Sequence, residues 1–190
     1  MEDFLNEMDK YYPLSNDTKN EIKNISNVRK YKKNEFILQS GDLALNYYFV
    51  RKGLLGYYTL DKEGNIIYKI FFDENNFAAS TSAIIEEKKT EFNIIALEEV
   101  ELIVYSAQKF RELLLKYHDL ALFHINYLER NWVVKKEHLE IDLKWETAKQ
   151  RYLELIQNKN IFNRLKQHHI ASYLGITPTQ LSRIRKEIKI

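Results

Sequence analysis

The fold is decided near the end of the chain by the stretch Gln167-His168-His169-Ile170-Ala171-Ser172-Tyr173-Leu174-Gly175-Ile176-Thr177-Pro178-Thr179-Gln180-Leu181-Ser182-Arg183-Ile184-Arg185-Lys186. Ile170 and Leu174 are four residues apart and therefore share one helix face. The small Ala171 lets a second helix cross closely. Gly175 stands where the chain must turn, since glycine adopts a positive φ without strain. The spacing predicts a helix, a turn and a second helix.

The second helix has two start signals. Thr177 and Gln180 have the spacing of a capping box, and Pro178 stands at the first helical position, where its missing N–H is not needed. Leu181 and Ile184 are predicted to face inward, which leaves a polar face on the other side. The side chains predicted to project outward are Thr179, Gln180, Ser182, Arg183, Arg185 and Lys186.

A polar helix face with two arginines suits the major groove of DNA. Arginine can bind guanine and glutamine can bind adenine through paired hydrogen bonds, while hydroxyls and helix N-termini hold phosphates. The alternative is a structural helical hairpin with a solvated face. The sequence predicts binding to double-stranded DNA, and Lys166 is predicted to add a phosphate contact. The other predicted contact residues are Thr177, Thr179, Gln180, Ser182, Arg183, Arg185 and Lys186.

The charge distribution separates the C-terminal quarter from the rest of the chain. Residues 144–190 hold ten Lys or Arg and three acidic residues, whereas residues 1–143 hold 19 basic and 24 acidic residues. A basic segment on an acidic body is typical of a protein that meets a polyanion. A solvated basic helix pair would give the same pattern, so charge alone leaves both interpretations open.

Residues 28–105 are dense in aromatic and β-branched residues and are punctuated by turns such as Asp61–Asn65. This pattern predicts a small antiparallel barrel or roll. Residues 2–27 are predicted to be helical, with Ser15 as an N-cap. The predicted strands are Glu35–Leu38, Tyr47–Arg51, Leu54–Leu60, Ile66–Phe72, Phe92–Leu97 and Val100–Tyr105.

From Ser106, a predicted N-cap, the chain becomes helical, and a long helix is predicted over Asp119–Leu143. It carries one apolar stripe with Leu120 and Phe123 and a second with Ile125 and Trp132. A surface helix needs one stripe, so two predict a homodimer contact. Burial on both sides within one subunit is the alternative.

The chain is predicted to divide into residues 1–143 and residues 144–190. A capping box, Thr147–Gln150, is predicted to start the first helix after the boundary, and Asn158–Asn160 is predicted to be a turn. The fold class is α+β, with a roll, a long helix and a helix-turn-helix.

The arrangement resembles the Crp/Fnr superfamily of transcription regulators. The resemblance rests on Gly41-Asp42, Arg51-Lys52-Gly53, the Asp61 to Gly64 turn, the long helix and the segment Ile170 to Thr177. It implies a cyclic nucleotide-binding-like roll, dimerisation through the long helix, an inverted-repeat operator and, as a possible partner, RNA polymerase. It also implies that Arg183 reads a base and that Thr177 caps the reading helix.

The positions that hold cyclic AMP in family members depart from the pattern. By the resemblance, a Gly-Glu pair is replaced by Ala79-Ser80, and an Arg-Ser/Thr pair by Thr90-Glu91. We therefore expect no useful binding of cyclic AMP. The cluster Ser80, Thr81 and Ser82 is a candidate site for another ligand, although its position before Ala83–Glu86 favours helix capping. The roll is either a sensor of an unidentified small molecule or a ligand-free contact module.

Several function classes conflict with the composition. The chain has no cysteine, which excludes disulfides and thiolate chemistry, and no cofactor is expected. No apolar run is long enough to span a bilayer, so a cytoplasmic protein is expected. A cupin-like enzyme would need histidines in the roll, and all of them lie outside residues 1–105: His118, His124, His138, His168 and His169.

Overall fold

The computed structural model describes residues 1–137 and 146–188. Its strands are β1 (Ser26–Tyr31), β2 (Phe36–Leu38), β3 (Asn46–Lys52), β4 (Leu55–Leu60), β5 (Ile66–Phe72), β6 (Phe77–Ala78), β7 (Asn93–Ala96) and β8 (Val100–Ser106). They form two antiparallel sheets, ordered β1-β8-β3-β6 and β2-β7-β4-β5. The predicted α+β class and antiparallel roll are confirmed.

Strand β4 separates two apolar environments. Successive side chains of a strand point to opposite faces, so Leu55 and Tyr57 lie in the roll interior and Tyr58 on the outer face. Gly56 also faces outward, and a Cβ atom there would stand 2.5 Å from the Tyr68 ring of β5. The absence of a side chain at Gly56 therefore lets the Tyr68 ring approach the β4 backbone closely.

Helices cover the outer face of the β1-β8-β3-β6 sheet. They are α1 (Glu2–Asp9), α2 (Asn16–Asn24), α4 (Ala107–Lys116) and α5 (His118–Leu128), whereas α3 (Thr81–Glu86) packs Ala83 and Ile84 against the roll interior. The ring of Phe4 packs 5.2 Å from Phe49 and 5.3 Å from Tyr105 between the centroids. The predicted N-caps Ser15 and Ser106 are confirmed, since each accepts a backbone N–H three residues ahead.

The N-terminal prediction is wrong at its end, because residues 26 and 27 begin β1 rather than ending a helix. β1 pairs with β8 from Ser26↔Tyr105 to Tyr31↔Val100. Its sequence is mostly polar and exposed because β1 is an edge strand, so it lacked the alternating pattern that marks a half-buried strand. The two-residue β6 was also missed.

The long helix is confirmed with a change of geometry. It starts at His118, becomes π-helical over Glu129–Val134 and is helical again to residue 137. A π turn is wider than an α turn and shifts the register of the helix, and Val134 at the end of the π segment is exposed. Residues 138–143 of the predicted helix lie outside the described residues.

The two predicted stripes of this helix differ in exposure. Leu120 and Phe123 are buried against the roll, whereas Ile125 is 49% and Trp132 40% exposed. The chain therefore covers one stripe and leaves the other in water. Within residues 1–137 and 146–188 no helix is long and apolar enough to cross a membrane.

The C-terminal part holds α6 (Ala148–Gln157), α7 (Lys159–Phe162), α8 (Gln167–Leu174) and α9 (Pro178–Ile188). The predicted Thr147–Gln150 capping box is present. Residues 158–160 are not a simple turn, because Asn158 caps the short helix α7. These helices share a core of their own formed by Tyr152, Ile170, Ala171, Leu174 and Leu181.

Candidate nucleic-acid interface and roll interior

The helix-turn-helix has the geometry that its sequence predicts. α8 ends at Gly175, whose φ is +68°, and the Ile176 N–H donates to the Ala171 carbonyl at 3.0 Å. Thr177 N–H donates to Gln180 Oε1 at 2.8 Å, and Gln180 N–H donates to Thr177 Oγ1 at 3.2 Å. The capping box therefore fixes the direction in which α9 leaves the turn.

The outward face of α9 carries most of the predicted contact residues. Leu181 is fully buried and Ile184 half-buried, so the opposite side of the helix faces solvent. The exposed predicted residues of this face are Thr177, Thr179, Gln180, Ser182, Arg183 and Lys186.

Two predicted contact residues stand apart from that face. Arg185 is half-buried, and its Nε is shielded from solvent. Lys166 is exposed, but it precedes α8 rather than lying on α9. The structure therefore groups the other predicted residues and leaves these two in different surroundings.

The capping role of Gln180 limits what its side chain can read. Its Oε1 accepts both the N–H and the hydroxyl of Thr177, which uses both lone pairs of the oxygen. A paired contact to adenine needs that oxygen as an acceptor as well as the amide N–H. While the capping box is intact, Gln180 therefore offers donors only.

Part of the basic charge of this region is used internally. Arg151 donates to the Leu174 carbonyl at 2.9 Å, at the end of α8, and Lys149 pairs with Glu187 at 2.9 Å. Arg164 lies between two carboxylates of the roll. The sequence-based charge balance therefore overstates the cations that remain for a polyanion.

The roll interior holds a closed hydroxyl cluster where a ligand was considered. Ser80 is 1% exposed, and its Oγ lies 2.8 Å from Thr90 Oγ1 and accepts the Tyr57 hydroxyl at 3.3 Å. Ser80 does not cap α3 with its side chain, so the predicted capping role is wrong. Thr81 lines a small cavity and Ser82 is exposed, so the three residues do not form one site.

Aromatic rings fill the space beside that cluster. Tyr57 stacks on Phe92 with centroids 4.6 Å apart, and the Lys69 ammonium lies 5.1 Å from the centre of the Phe92 ring. A neighbouring cavity of about 40 Å³ lies between the roll and the long helix, and Thr81 and Trp132 are among its lining residues. A space of that size holds water rather than a nucleotide. Tyr57 was missed because strand alternation does not predict a hydroxyl partner 23 residues away.

Residues 28–117 match the sequence profile of the cyclic nucleotide-binding domain family. This part, slightly less than half of the chain, is therefore similar to a cyclic nucleotide-binding domain. A comparison with curated protein sequences finds no significant match for the chain.

Several solved structures are similar to this chain over most of its length. The c-di-GMP responsive global regulator CLP of Xanthomonas campestris is similar with a TM-score of 0.71 at 14% identity, covering 92% of both chains. FixK2 of Bradyrhizobium japonicum has a TM-score of 0.71 at 14% identity, covering 87% of this chain and 85% of its own. A transcriptional regulator of the Crp/Fnr family from Eubacterium rectale has a TM-score of 0.67 at 18% identity, covering 95% and 88%. The predicted resemblance to Crp/Fnr regulators is confirmed at the level of the fold.

The roll packs directly on the helix-turn-helix. The Ser172 hydroxyl donates to the Ile66 carbonyl and accepts the Tyr68 N–H at 3.2 Å, so it bonds both groups of the β5 backbone. The rings of Phe71 and Tyr173 lie 5.5 Å apart across the same contact. Within the described ranges, no group of three His, Asp or Glu is arranged to hold a metal.

His169 is the titratable group buried in this contact. It is 8% exposed, its ring lies 5.3 Å from that of Tyr68, and its Nδ1 accepts the Lys166 N–H at 3.4 Å. Burial, and then the nearby positive charges of His168, Lys166 and Lys33, lower the pKa of His169 to about 4. The folded chain therefore holds a neutral imidazole at neutral pH.

We predict that acid destabilises the chain through His169. Because its folded pKa lies below its usual 6.5, its contribution is complete above pH 6.5 and is lost as the pH falls towards 4. His169→Gln keeps an acceptor for the Lys166 N–H but cannot take up the proton. Urea unfolding should show that the parent loses up to about 2 kcal/mol more than His169→Gln between pH 7 and pH 5.

The matched control for this prediction is His118→Gln, at an exposed position at the start of the long helix. It should follow the pH dependence of the parent. Equal pH dependence in the parent and His169→Gln would contradict the assignment.

Proposed function

We propose that this protein is a dimeric, sequence-specific DNA-binding transcription regulator of the Crp/Fnr type rather than an enzyme. The observation that carries the proposal is the exposed polar face of α9, which begins at a capped turn and has Arg183 near its middle. Such a helix end can enter the major groove and present side chains to base edges. The similar structures, which include a Crp/Fnr transcriptional regulator, support this function.

We propose that Arg183 reads a base, while Lys166 and Lys186 bind phosphates. Arg183 and Lys186 are both exposed on α9, three residues apart, but the arginine is nearer the helix start, which enters the groove first. Thr179 and Ser182 supply hydroxyls to the same surface. Residues 144–190 form the DNA-binding domain in this proposal, and residues 1–143 form the roll with the dimer helix.

We propose that the roll acts without cyclic AMP. Ser80 bonds Thr90 and also accepts the Tyr57 hydroxyl, so the hydroxyls of Ser80 and Thr90 are satisfied without a ligand. Thr90 and Glu91 replace the Arg-Ser/Thr pair of the resemblance, and the exposed Glu91 would repel a phosphate. These contacts favour a ligand-free contact module over a nucleotide sensor.

The first prediction concerns base reading. Arg183→Ala should weaken binding to a selected inverted-repeat operator by about 1–3 kcal/mol per half-site, with little effect on scrambled DNA. Lys186→Ala, the matched control on the same helix face, should weaken both DNAs alike and reduce the salt slope by about one unit. Fluorescence anisotropy at several salt concentrations measures both. An equal loss on both DNAs for Arg183→Ala would make Arg183 a backbone contact.

The second prediction concerns the dimer. A homodimer would cover the exposed stripe of the long helix, so Ile125→Lys should weaken self-association by about 3–6 kcal/mol, because the symmetric contact loses the buried side chain twice. Leu115→Lys is the matched control, since Leu115 is 88% exposed on α4, away from the stripe. Sedimentation equilibrium should show dimers for the parent and the control at micromolar concentration. A monomeric parent would refute the dimer.

The third prediction concerns cyclic AMP. Without an arginine opposite the phosphate, the nucleotide would lack charge-assisted hydrogen bonds worth about 1.5–3 kcal/mol each. Titration calorimetry should give a Kd weaker than about 10 µM. The variant Tyr57→Ala, which opens space in the roll interior, should not bind cyclic AMP either, because the missing requirement is an arginine for the phosphate rather than space. Tight binding by the parent would refute the proposed ligand-free role.

A further inference from the structure

The C-terminal helices contact the roll mainly through one segment of the chain, from Asn160 to Ser172. Asn160 Nδ2 donates to Asp73 at 2.7 Å, and Ile161 packs in the apolar cluster of Leu54 and Leu97. Arg164 and then Ser172 follow along the same segment. The segment contains α7, the connection to α8 and the first turns of α8, but not the polar face of α9.

Arg164 makes the most extensive polar contact between the two parts. Its Nη1 and Nη2 donate to the two oxygens of Glu74 at 2.8 and 3.0 Å, while Nε and Nη2 donate to the two oxygens of Glu98 at 3.2 and 2.5 Å. Glu74 also accepts the Gly53 N–H at 2.7 Å. Burial raises the pKa of Glu74, but its hydrogen bonds to Arg164 and Gly53 outweigh burial and lower the pKa to about 2.

This geometry determines orientation as well as distance. A guanidinium that shares two hydrogen bonds with each of two carboxylates is fixed in its plane, because the fork and the carboxylates must align. Ser172 adds a second fixed point on the β5 backbone. Two points separated along the sequence prevent the helix-turn-helix from turning about either one.

The helix-turn-helix does not need these contacts to maintain its own packing. Its core of Tyr152, Leu174 and Leu181 lies within residues 146–188, and neither Arg164 nor Ser172 belongs to that core or to the outward face of α9. The contacts therefore determine where the domain lies on the roll, rather than how it folds or which bases it touches.

We propose that Arg164 and Ser172 are positioning residues that set the half-site spacing accepted by the dimer. This inference rests on the proposed function. In a two-fold dimer the reading helices must lie about 34–36 Å apart to meet successive major grooves. With the two contacts intact, the two reading helices of the dimer have this separation before DNA binds. Without them, each helix-turn-helix depends on the chain between it and the long helix and accepts a wider range of spacings.

The test uses the double variant Arg164→Gln/Ser172→Ala in the full chain. The matched control is Lys149→Gln, which also removes one positive charge but breaks an ion pair internal to the C-terminal helices. The probe is an inverted repeat selected by the parent from random duplexes, with the spacer then changed by one or two base pairs. A duplex carrying one half-site serves as the reference.

We expect a changed spacer to weaken binding of the parent and the control by about tenfold or more, because both half-sites can no longer be engaged together. The double variant should lose about threefold or less. Binding to the single half-site should agree within about twofold for all three proteins, since the reading face is unchanged. Equal spacer profiles for the parent and the double variant would overturn the proposal.

A measurement without DNA separates this proposal from the proposed function. The chain has no cysteine, so Lys62→Cys and Glu154→Cys place spin labels on the β4–β5 hairpin and on α6 without background labelling. The distance distribution should be narrow in the parent and in Lys149→Gln, and broad in the double variant. Ser172→Ala alone, which removes one oxygen atom, should broaden the distance distribution partly. This single variant keeps the test valid if the double variant misfolds.

The DNA-binding series and the spin-label distances contradict different proposals. An unchanged distance distribution in the double variant would overturn the positioning role, whatever happens on DNA. A parent that prefers no DNA sequence would refute the proposed function, while broadening of the distance distribution would still support Arg164 and Ser172 as the residues that hold the two parts together.

Discussion

The two-residue period of β4 is the constraint on which the rest of the structure depends. Because neighbouring side chains must point to opposite faces, Tyr57 belongs to the roll interior and Tyr58 to the surface that the C-terminal helices cover. A shift of register by one residue would exchange the two faces. The same strand therefore lines the interior and forms part of the platform for the helix-turn-helix.

Local chemistry explains why much of the architecture could be predicted from the sequence. Gly175 ends α8 with a positive φ, and Thr177 with Gln180 starts α9. Both signals act within a few residues, so they can be recognised without knowledge of the tertiary structure. The roll strands that alternate or run apolar were predicted for the same reason. The polar edge strand β1 was not, because its pairing depends on β8, about 75 residues away.

The site was less predictable where contacts are distant in sequence. Arg164 is one of the ten Lys or Arg of residues 144–190, but its charge is paired with Glu74 and Glu98, which lie 90 and 66 residues away. Ser80 was interpreted as a helix cap, yet its hydroxyl bonds Thr90 in the roll interior. In each case the residue type was informative, but its partner is set by sheet topology, which periodicity and capping rules do not specify.

The cover over β5 has a consequence for solubility. β5 is the outer strand of its sheet, and such edges recruit strands from other molecules unless something blocks them. Here Ser172 occupies the carbonyl of Ile66 and the N–H of Tyr68, next to the exposed Ile67 and Ile70. The helix-turn-helix therefore blocks edge-to-edge pairing at these two backbone groups, and removal of the last helices would leave both groups open to a strand of another molecule.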